Sequence, residues 1–430
     1  MAESSPAAPT TGADLVGGAD VTLGDDDVRR FVHRCLDHVA LEGRSVCVVV
    51  PDATRTCPLP LLLEAVHGAL HGRVSKLTVL VALGTHPAMA DQALADHLGY
   101  PPDRLSGRYP GLTIMNHAWW DPATLVDVGV IPSSRVGELS GGLLRVDAPV
   151  RINRAVVEHD VVLVVGPVFP HEVVGFSGGN KYLFPGVSGP ELIDVSHWLG
   201  ALLTSWAIIG TLGVTPVRAL IDEAAAMVAT ERLALCVVTR PGDARLHAAA
   251  FGTPESAWAA AAAISAETHI RYLDAPVSRV LSIVPSRYDD LWTGAKGFYK
   301  VEPVVADGGE VVIHAPHITR FSATHPEIAQ IGYHCRDYFV KQWDRFSHLR
   351  WSDLAHSTHL RGTGTFDPEL GEQLRVTVTL ATAIPEEVVR GANLGYLDPE
   401  GLDPGAWERQ PEWLVVHDAG EDLYRLRPSG

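Results

Sequence analysis

The chain has 430 residues, 46% of them hydrophobic, with 51 acidic against 34 basic side chains and a formal net charge of −17. That length exceeds one ordinary domain and predicts two or three. Such acidity excludes nonspecific binding along a nucleic-acid backbone. No apolar run is long enough to span a bilayer, so no membrane partner is expected. The five cysteines are dispersed without a C-x-x-C pair, which reads as reduced thiols in a cytoplasmic protein.

Residues 1–20 are rich in Ser, Pro, Ala and Gly and lack a basic segment followed by an apolar one. They read as a disordered tail and not as a secretory signal. A helix is predicted from Asp25 to Leu41, then a buried strand Ser45–Val50 that runs into Pro51-Asp52-Ala53-Thr54-Arg55. A helix near 59–71 and a strand Lys76–Leu83 follow, ending in Gly84-Thr85-His86-Pro87 before a helix at about Ala88–Leu98. The alternation continues through a strand Gly111–Met115, a strand from Val161 to Gly166, a helix near Pro216–Thr230, a strand Leu233–Thr239 and an Ala-rich helix over 254–268. Strands alternating with helices imply an α/β domain with a mostly parallel sheet over 21–270. Thr268–Pro276 reads as a linker. A second α/β domain is expected over 277–430, with strands Arg279–Val284, Gly309–His314 and 376–382 and a helix from about Pro326 to Phe339. The final WLVVHD and EDLYRL segments read as a strand pair able to pack on either domain.

Polar groups follow three strands of the first half at their carboxyl ends: Asp52, Thr54 and Arg55; Thr85 and His86; and His171. Ligands of open α/β sheets bind outside those ends, so the pattern places all three groups on one rim. The segment Gly175-Phe176-Ser177-Gly178-Gly179-Asn180-Lys181 offers bare backbone, a hydroxyl and an amine. It suits an anionic ligand, with a plain structural turn as the alternative. It is not a Walker A loop, because Tyr182 stands where a magnesium-binding hydroxyl is needed. Histidines at strand ends suit acid–base work, although a lone one is more often a hydrogen-bonded loop residue. His197, expected early in a helix, can ligate a metal, but no cluster of protein ligands accompanies it. Arg55 either clamps a carboxylate or pairs with Asp52.

Together, Asp52-Ala53-Thr54-Arg55, Gly84-Thr85-His86, the spacing from His171 through GFSGG to Lys181 and His197, and Trp292–Lys296 resemble the nickel-pincer nucleotide-dependent lactate racemase family over roughly residues 20–425. The resemblance implies two α/β domains with the active site in the cleft between them. It implies a nickel-pincer nucleotide covalently attached at Lys181, nickel bound by His197, and nucleotide contacts from Asp52, Ala53, Thr54, Arg55, Ser177, Gly178 and Gly179. His86 and His171 would be the two acid–base residues, with Arg55, Trp292, Thr293 and Lys296 binding substrate. The implied reaction is racemisation or epimerisation of a 2-hydroxy acid by proton-coupled hydride transfer to and from that cofactor. Cofactor-synthesis proteins would be transient partners. An inactive nucleotide-binding homologue is the alternative of a different class.

The chain departs from the family pattern where Tyr-Gln is usual before the second-domain lysine, since Trp292 and Thr293 stand there. Loss of the Gln amide and a broad Trp wall favour a larger 2-hydroxy acid, a sugar acid or a sugar over lactate. Pro87, Asn180 and Tyr182 also differ. The histidine-rich 314–325 segment is expected to line an enlarged polar pocket.

Overall fold

The computed structural model describes residues 12–241 and 243–428. Its first half is a seven-stranded sheet in the order Asp14–Gly17, Asp243–Gly252, Glu231–Arg240, Val161–Pro167, Ser45–Pro51, Lys76–Ala82, Leu112–Asn116. The last five of these are mutually parallel, and Asp243–Gly252 runs antiparallel to both of its neighbours at one edge. The central strands are apolar throughout because both faces are covered. Val46, Val48 and Val50 join one core while Cys47 and Val49 join the other, and Val161–Val165 alternates likewise. Helices Asp25–Asp37 and Leu59–Leu70 contribute to one core, and Pro190–Leu203, Pro216–Ala226 and Pro254–His269 to the other.

The second half is a five-stranded, wholly parallel sheet in the order Gly395–Tyr396, Val376–Thr382, Val305–Ala315, Val277–Ile283, Trp413–Val416. Each sheet reverses its winding once. In the first, the chain adds strands on one side of Ser45–Pro51 and then returns to place Val161–Pro167 on the other. In the second, the reversal lies between Val277–Ile283 and Trp413–Val416. Chain segments diverge at such a point and leave a crevice beyond the strands' carboxyl ends.

Four expectations change. Asp14–Gly17, within the expected tail, is a strand that pairs with 248–251; residues 1–11 lie outside the described residues. The expected linker holds a strand, Ile270–Leu273, which pairs in parallel with Leu423–Leu426. The two C-terminal strands therefore join different sheets and not each other. Finally, the helix expected over 326–339 is two short ones, Ile328–Ile331 and Arg336–Lys341. Gly332 between them adopts φ 75°, and Tyr333 donates its N–H to Ala392 O instead of continuing the helix.

Candidate active site

The cleft between the halves is open to solvent and holds about 1070 Å³ of space, its mouth included. Asp52, Arg55, His86, His171, Gly178, Lys181 and His197 line it from the first half, and Trp292, Thr293, Lys296, Tyr299, His356 and His359 from the second. Asp52 and His171 follow the two strands that flank the first sheet's reversal, and His86 follows the next strand over. The histidines thus stand two strand positions apart, roughly 10 Å at ordinary strand spacing, with the Asp52–Arg55 loop between.

Asp52 organises its side of the cleft. One carboxylate oxygen accepts from Thr54 Oγ1 at 2.6 Å, and the other meets His86 Nδ1 at 2.5 Å. Burial by itself would raise this carboxyl. His86 and Arg55 beside it outweigh burial and hold the group well below the ordinary carboxylate range. An ionised carboxylate only accepts, so His86 Nδ1 donates and its Nε2 carries the free lone pair. Arg55 bonds Thr54 Oγ1 at 3.0 Å and makes no direct ion pair with Asp52, which leaves its guanidinium for the cleft. Thr54 serves as the bridge between them, and Ala53 is exposed.

His171 is held differently. It sits in a two-residue hairpin, Pro170–His171 against Gly175–Phe176, whose return uses Gly175 at φ 86°. Its Nδ1 accepts from the Val173 N–H at 3.1 Å, so the neutral ring carries its proton on Nε2. Burial, then Lys181, Arg55, Lys300 and His197, push its pKa well below that of free imidazole. Glu172 Oε2 lies 3.3 Å from the same Nδ1, ready to receive a proton there. Burial works against the charge of Glu172, but its neighbours, Lys296 first, lower its pKa below the ordinary value.

Lys181 and His197 are in the states needed to hold a group. Burial and then Arg55 lower Lys181 to about 7, which makes its amine a nucleophile near neutral pH. His197 lies in the middle of helix Pro190–Leu203, not early in it as expected. Its Nδ1 donates to Ile193 O at 2.7 Å, so Nε2 is the available ligand atom. Burial and then Lys181 hold it neutral, with a pKa of about 4. Among the described residues no three His, Cys, Asp or Glu side chains come together to hold a metal ion. A metal at His197 would take its other donors from a bound group.

The glycine-rich loop faces inward more than expected. Ser177 Oγ accepts from the Phe169 N–H at 3.0 Å, and of this trio Ser177 and Gly178 line the cleft while Gly179 does not. Beneath the loop a buried Arg218 donates to Gly178 O at 3.0 Å and to Phe176 O, and stacks 4.2 Å over Trp258.

On the opposite wall, Trp292 does not offer the broad stacking face expected of it. Its ring is sandwiched between His325 at 3.9 Å and His356 at 4.0 Å, so it presents an edge. Thr293 lines the cleft while its hydroxyl bonds Asp290 Oδ1 at 3.1 Å. His314 and His317 do not line the cleft, and His325 lies behind Trp292, where its Nδ1 meets Asp353 at 2.7 Å and its Nε2 meets Thr85 Oγ1 at 3.0 Å. The 314–325 segment therefore supports the wall and does not form it. The polar surface comes from helix Trp351–Arg361 through His356 and His359. With Glu172, Tyr299 and Arg218, these are the residues that reading the sequence missed. The i, i+3 spacing of His356 and His359 on one helix face was the available signal.

Residues 31–207 match the family model for the lactate racemase N-terminal domain. Curated lactate racemases from Thermoanaerobacterium thermosaccharolyticum and Lactiplantibacillus plantarum are 24% and 25% identical over 212 and 166 residues. Over its N-terminal part the chain is a member of the lactate racemase family. Those two matches span 45% and 34% of the relatives' own length, and 47% and 38% of this chain. The whole fold has broader likeness. A Thermotoga maritima protein of solved structure superimposes with a TM-score of 0.87 at 30% identity, covering 96% of this chain and 100% of that one. The apoprotein of the T. thermosaccharolyticum lactate racemase gives 0.69 at 19% identity over 93% of each chain, a likeness of fold. Asp52, His86, His171, Lys181 and His197 all lie inside the matched N-terminal domain. Trp292, Lys296, His356 and His359 lie beyond it.

Proposed function

We propose that this protein racemises or epimerises a 2-hydroxy acid or related polyhydroxy compound, with a nickel-pincer nucleotide joined covalently to Lys181 and its nickel held by His197. The observation that carries the reading is the pair of differently held histidines on one rim. His86 is backed by a carboxylate and offers a lone pair, while His171 takes a backbone N–H and offers a proton position, and a lysine of lowered pKa and a ligand-ready histidine stand beside them. The buried, low-pKa Lys181 fits attachment through an amide-type bond, and His197 Nε2 fits one coordination position. When bound, the cofactor supplies a reversible hydride acceptor beside the substrate carbon.

Arg55 and Lys296 bind the substrate carboxylate. His86 Nε2 takes the hydroxyl proton as the carbon is oxidised, and Asp52 stabilises the resulting imidazolium. On the other side, protonated His171 returns a proton to the carbonyl oxygen, with Glu172 beside its Nδ1. The charges that depress His171 include Lys181 and Arg55. An amide-type bond removes the first and a substrate carboxylate offsets the second, so loading makes the acid form of His171 accessible. Each histidine is base in one direction and acid in the other, as a reversible inversion requires.

No helix among the described residues is long and apolar enough to cross a membrane, and the five described cysteines are free, which suits a reducing, cytoplasmic setting. A binding protein that has lost the reaction is disfavoured by the complete set Arg55, His86, His171, Lys181 and His197. Intact-protein mass after co-expression with the cofactor-synthesis proteins and nickel tests the reading. An adduct that disappears in Lys181→Ala supports it; no adduct on the wild-type chain sinks it. Solvent deuterium stays out of the inverted carbon if hydride is what moves, whereas rapid exchange into that carbon indicates ordinary proton abstraction.

A further inference from the structure

The C-terminal segment takes the chain from the second half back to the first. After strand Trp413–Val416 at the edge of the second sheet, residues 417–422 turn, and Leu423–Leu426 pairs with Ile270–Leu273. Leu423 is fully buried against Gly210 of the first half, and Arg425 donates to Ile209 O. The turn lies against a wall of the cleft. A Cβ at Gly420 would come within 2.8 Å of Tyr288 Cε2 and 3.1 Å of Lys296 Cβ, and Lys296 Nζ stands 4.6 Å from the centre of the Tyr288 ring. From the same turn Glu421, 5% exposed, reaches the first half and accepts from the hydroxyl of Thr56, the residue that follows Arg55. Its other neighbours belong to the second half: Arg287 lies 3.8 Å from Oε1, and Lys300 Nζ donates to its backbone O at 3.3 Å. Lys300 also donates to Pro170 O, next to His171.

We infer that Glu421 is a positioning residue for substrate binding: through Thr56 it fixes the Arg55 loop to the turn that backs Lys296, and so sets the spacing of the two cations that grip one carboxylate. This rests on the racemase reading above, which assigns the carboxylate to Arg55 and Lys296. The hydrogen bonds of Asp52, Thr54 and Arg55 described above all stay within the first half. Thr56 is the member of this loop whose bond crosses to the second half, 365 positions along the chain. A hydrogen bond to a carboxylate is about twice as strong as a neutral one, and at this burial solvent screens it little. Two cations on separate walls hold one small anion well only when their spacing is fixed to a fraction of an ångström. Glu421 is absent from the cleft lining, so its removal leaves both cations present and displaces one relative to the other. The expected consequence is a weaker grip on the carboxylate with the acid–base chemistry intact.

The test uses holoenzyme and whichever of lactate, malate and gluconate it binds most tightly by calorimetry, with that acid's C1 amide as the uncharged control. Thr56→Val removes the hydroxyl at nearly constant shape, and Glu421→Ala removes the acceptor. Each is expected to raise Kd and KM for the acid about tenfold with kcat within about twofold, the split that marks lost uniform binding. Amide binding is expected to stay within about twofold of wild type. The double variant should fall no further than the worse single one, because both remove the same contact. Thr56→Ser keeps the hydroxyl and is expected to hold Kd within about threefold of wild type, with melting temperatures reporting the fold. A fall in kcat at unchanged KM, equal weakening of acid and amide, or additive single effects overturns the inference and leaves the racemase reading standing. So does a wild type that binds the acid no better than its amide. Acid binding that weakens in Thr56→Val and returns in Thr56→Ser, with no acid turned over, supports the positioning role and sinks the racemase reading.

Discussion

Replacing Asp52 by Asn isolates the contribution of the carboxylate behind His86. The two side chains have nearly the same shape, and the contact in question is the 2.5 Å approach of Asp52 Oδ2 to His86 Nδ1. A hydrogen bond to a charged group contributes about 1.5–3 kcal/mol, which stabilises the imidazolium by about 10- to 150-fold in equilibrium terms. The amide adds a second effect. Thr54 donates to the oxygen that Asn would retain on its side, so the new NH₂ faces Nδ1 and forces the ring proton onto Nε2. His86 then has no lone pair to offer, a fault that in a comparable carboxylate–histidine arrangement costs about 10⁴-fold. The expected loss in kcat/KM is therefore about 10²- to 10⁴-fold. For true enantiomers the equilibrium constant is unity, so the loss falls equally on both directions. The decisive second readout is the ¹⁵N resonance pattern of the His86 ring in uniformly labelled protein. It should change from protonated Nδ1 in the wild type to protonated Nε2 in the variant. Activity within about threefold of wild type, or an unaltered tautomer, would refute the argument.

Four further outcomes are expected. In protein made without the cofactor, the rate of acylation at Lys181 should rise through pH 7 and not near the ordinary lysine value of about 10.4; peptide-resolved labelling reads this, and a midpoint above about 9 contradicts it. His117, His197 and His359 have pKa values of about 4 and His269 of about 3, all depressed below the unfolded imidazole by burial first. The unfolded chain therefore binds more protons from about pH 6.5 down to 4, and each of these residues removes about 1.4 kcal/mol of stability per pH unit across that window. Denaturant titrations should show steep loss of stability below pH 6.5, and a flat profile to pH 4.5 would be incompatible. Arg218→Met deletes the donors to Gly178 O and Phe176 O from beneath the loop before Lys181, and should lower stability by about 2–4 kcal/mol, with slower formation of the Lys181 adduct by mass. His325→Ala strips the buried Asp353 of its imidazole partner and Trp292 of one stacking face. A loss of about 3 kcal/mol in urea unfolding is expected, and less than about 1 kcal/mol would show that the stack carries little.

Much of the first half was legible because its strands are buried on both faces. Val46 to Val50 and Val161 to Val165 leave no polar position, and Asp52 and His171, which come after them, line the cleft. That is why Asp52, His86 and His171 could be assigned to one rim from the chain alone. The second half was harder to read, since its helices are short and broken by backbone turns such as Gly332. His356 and His359 also lie on a helix that carries no named motif.

The division between the two sources of information is physical. Period-two and continuous apolar patterns, and the spacing of His171, Lys181 and His197, are local properties written along the chain. They determined the α/β class, the cleft rim and the family. Which nitrogen of each histidine is free depends on partners far away in sequence or on backbone geometry: Asp52 for His86, the Val173 N–H for His171, Ile193 O for His197. The orientation of Trp292 depends on His325 and His356, brought together only when the second domain folds. Local pattern selected the residues that face the cleft, and tertiary contact decided the protonation state and the exposed edge that each of them presents.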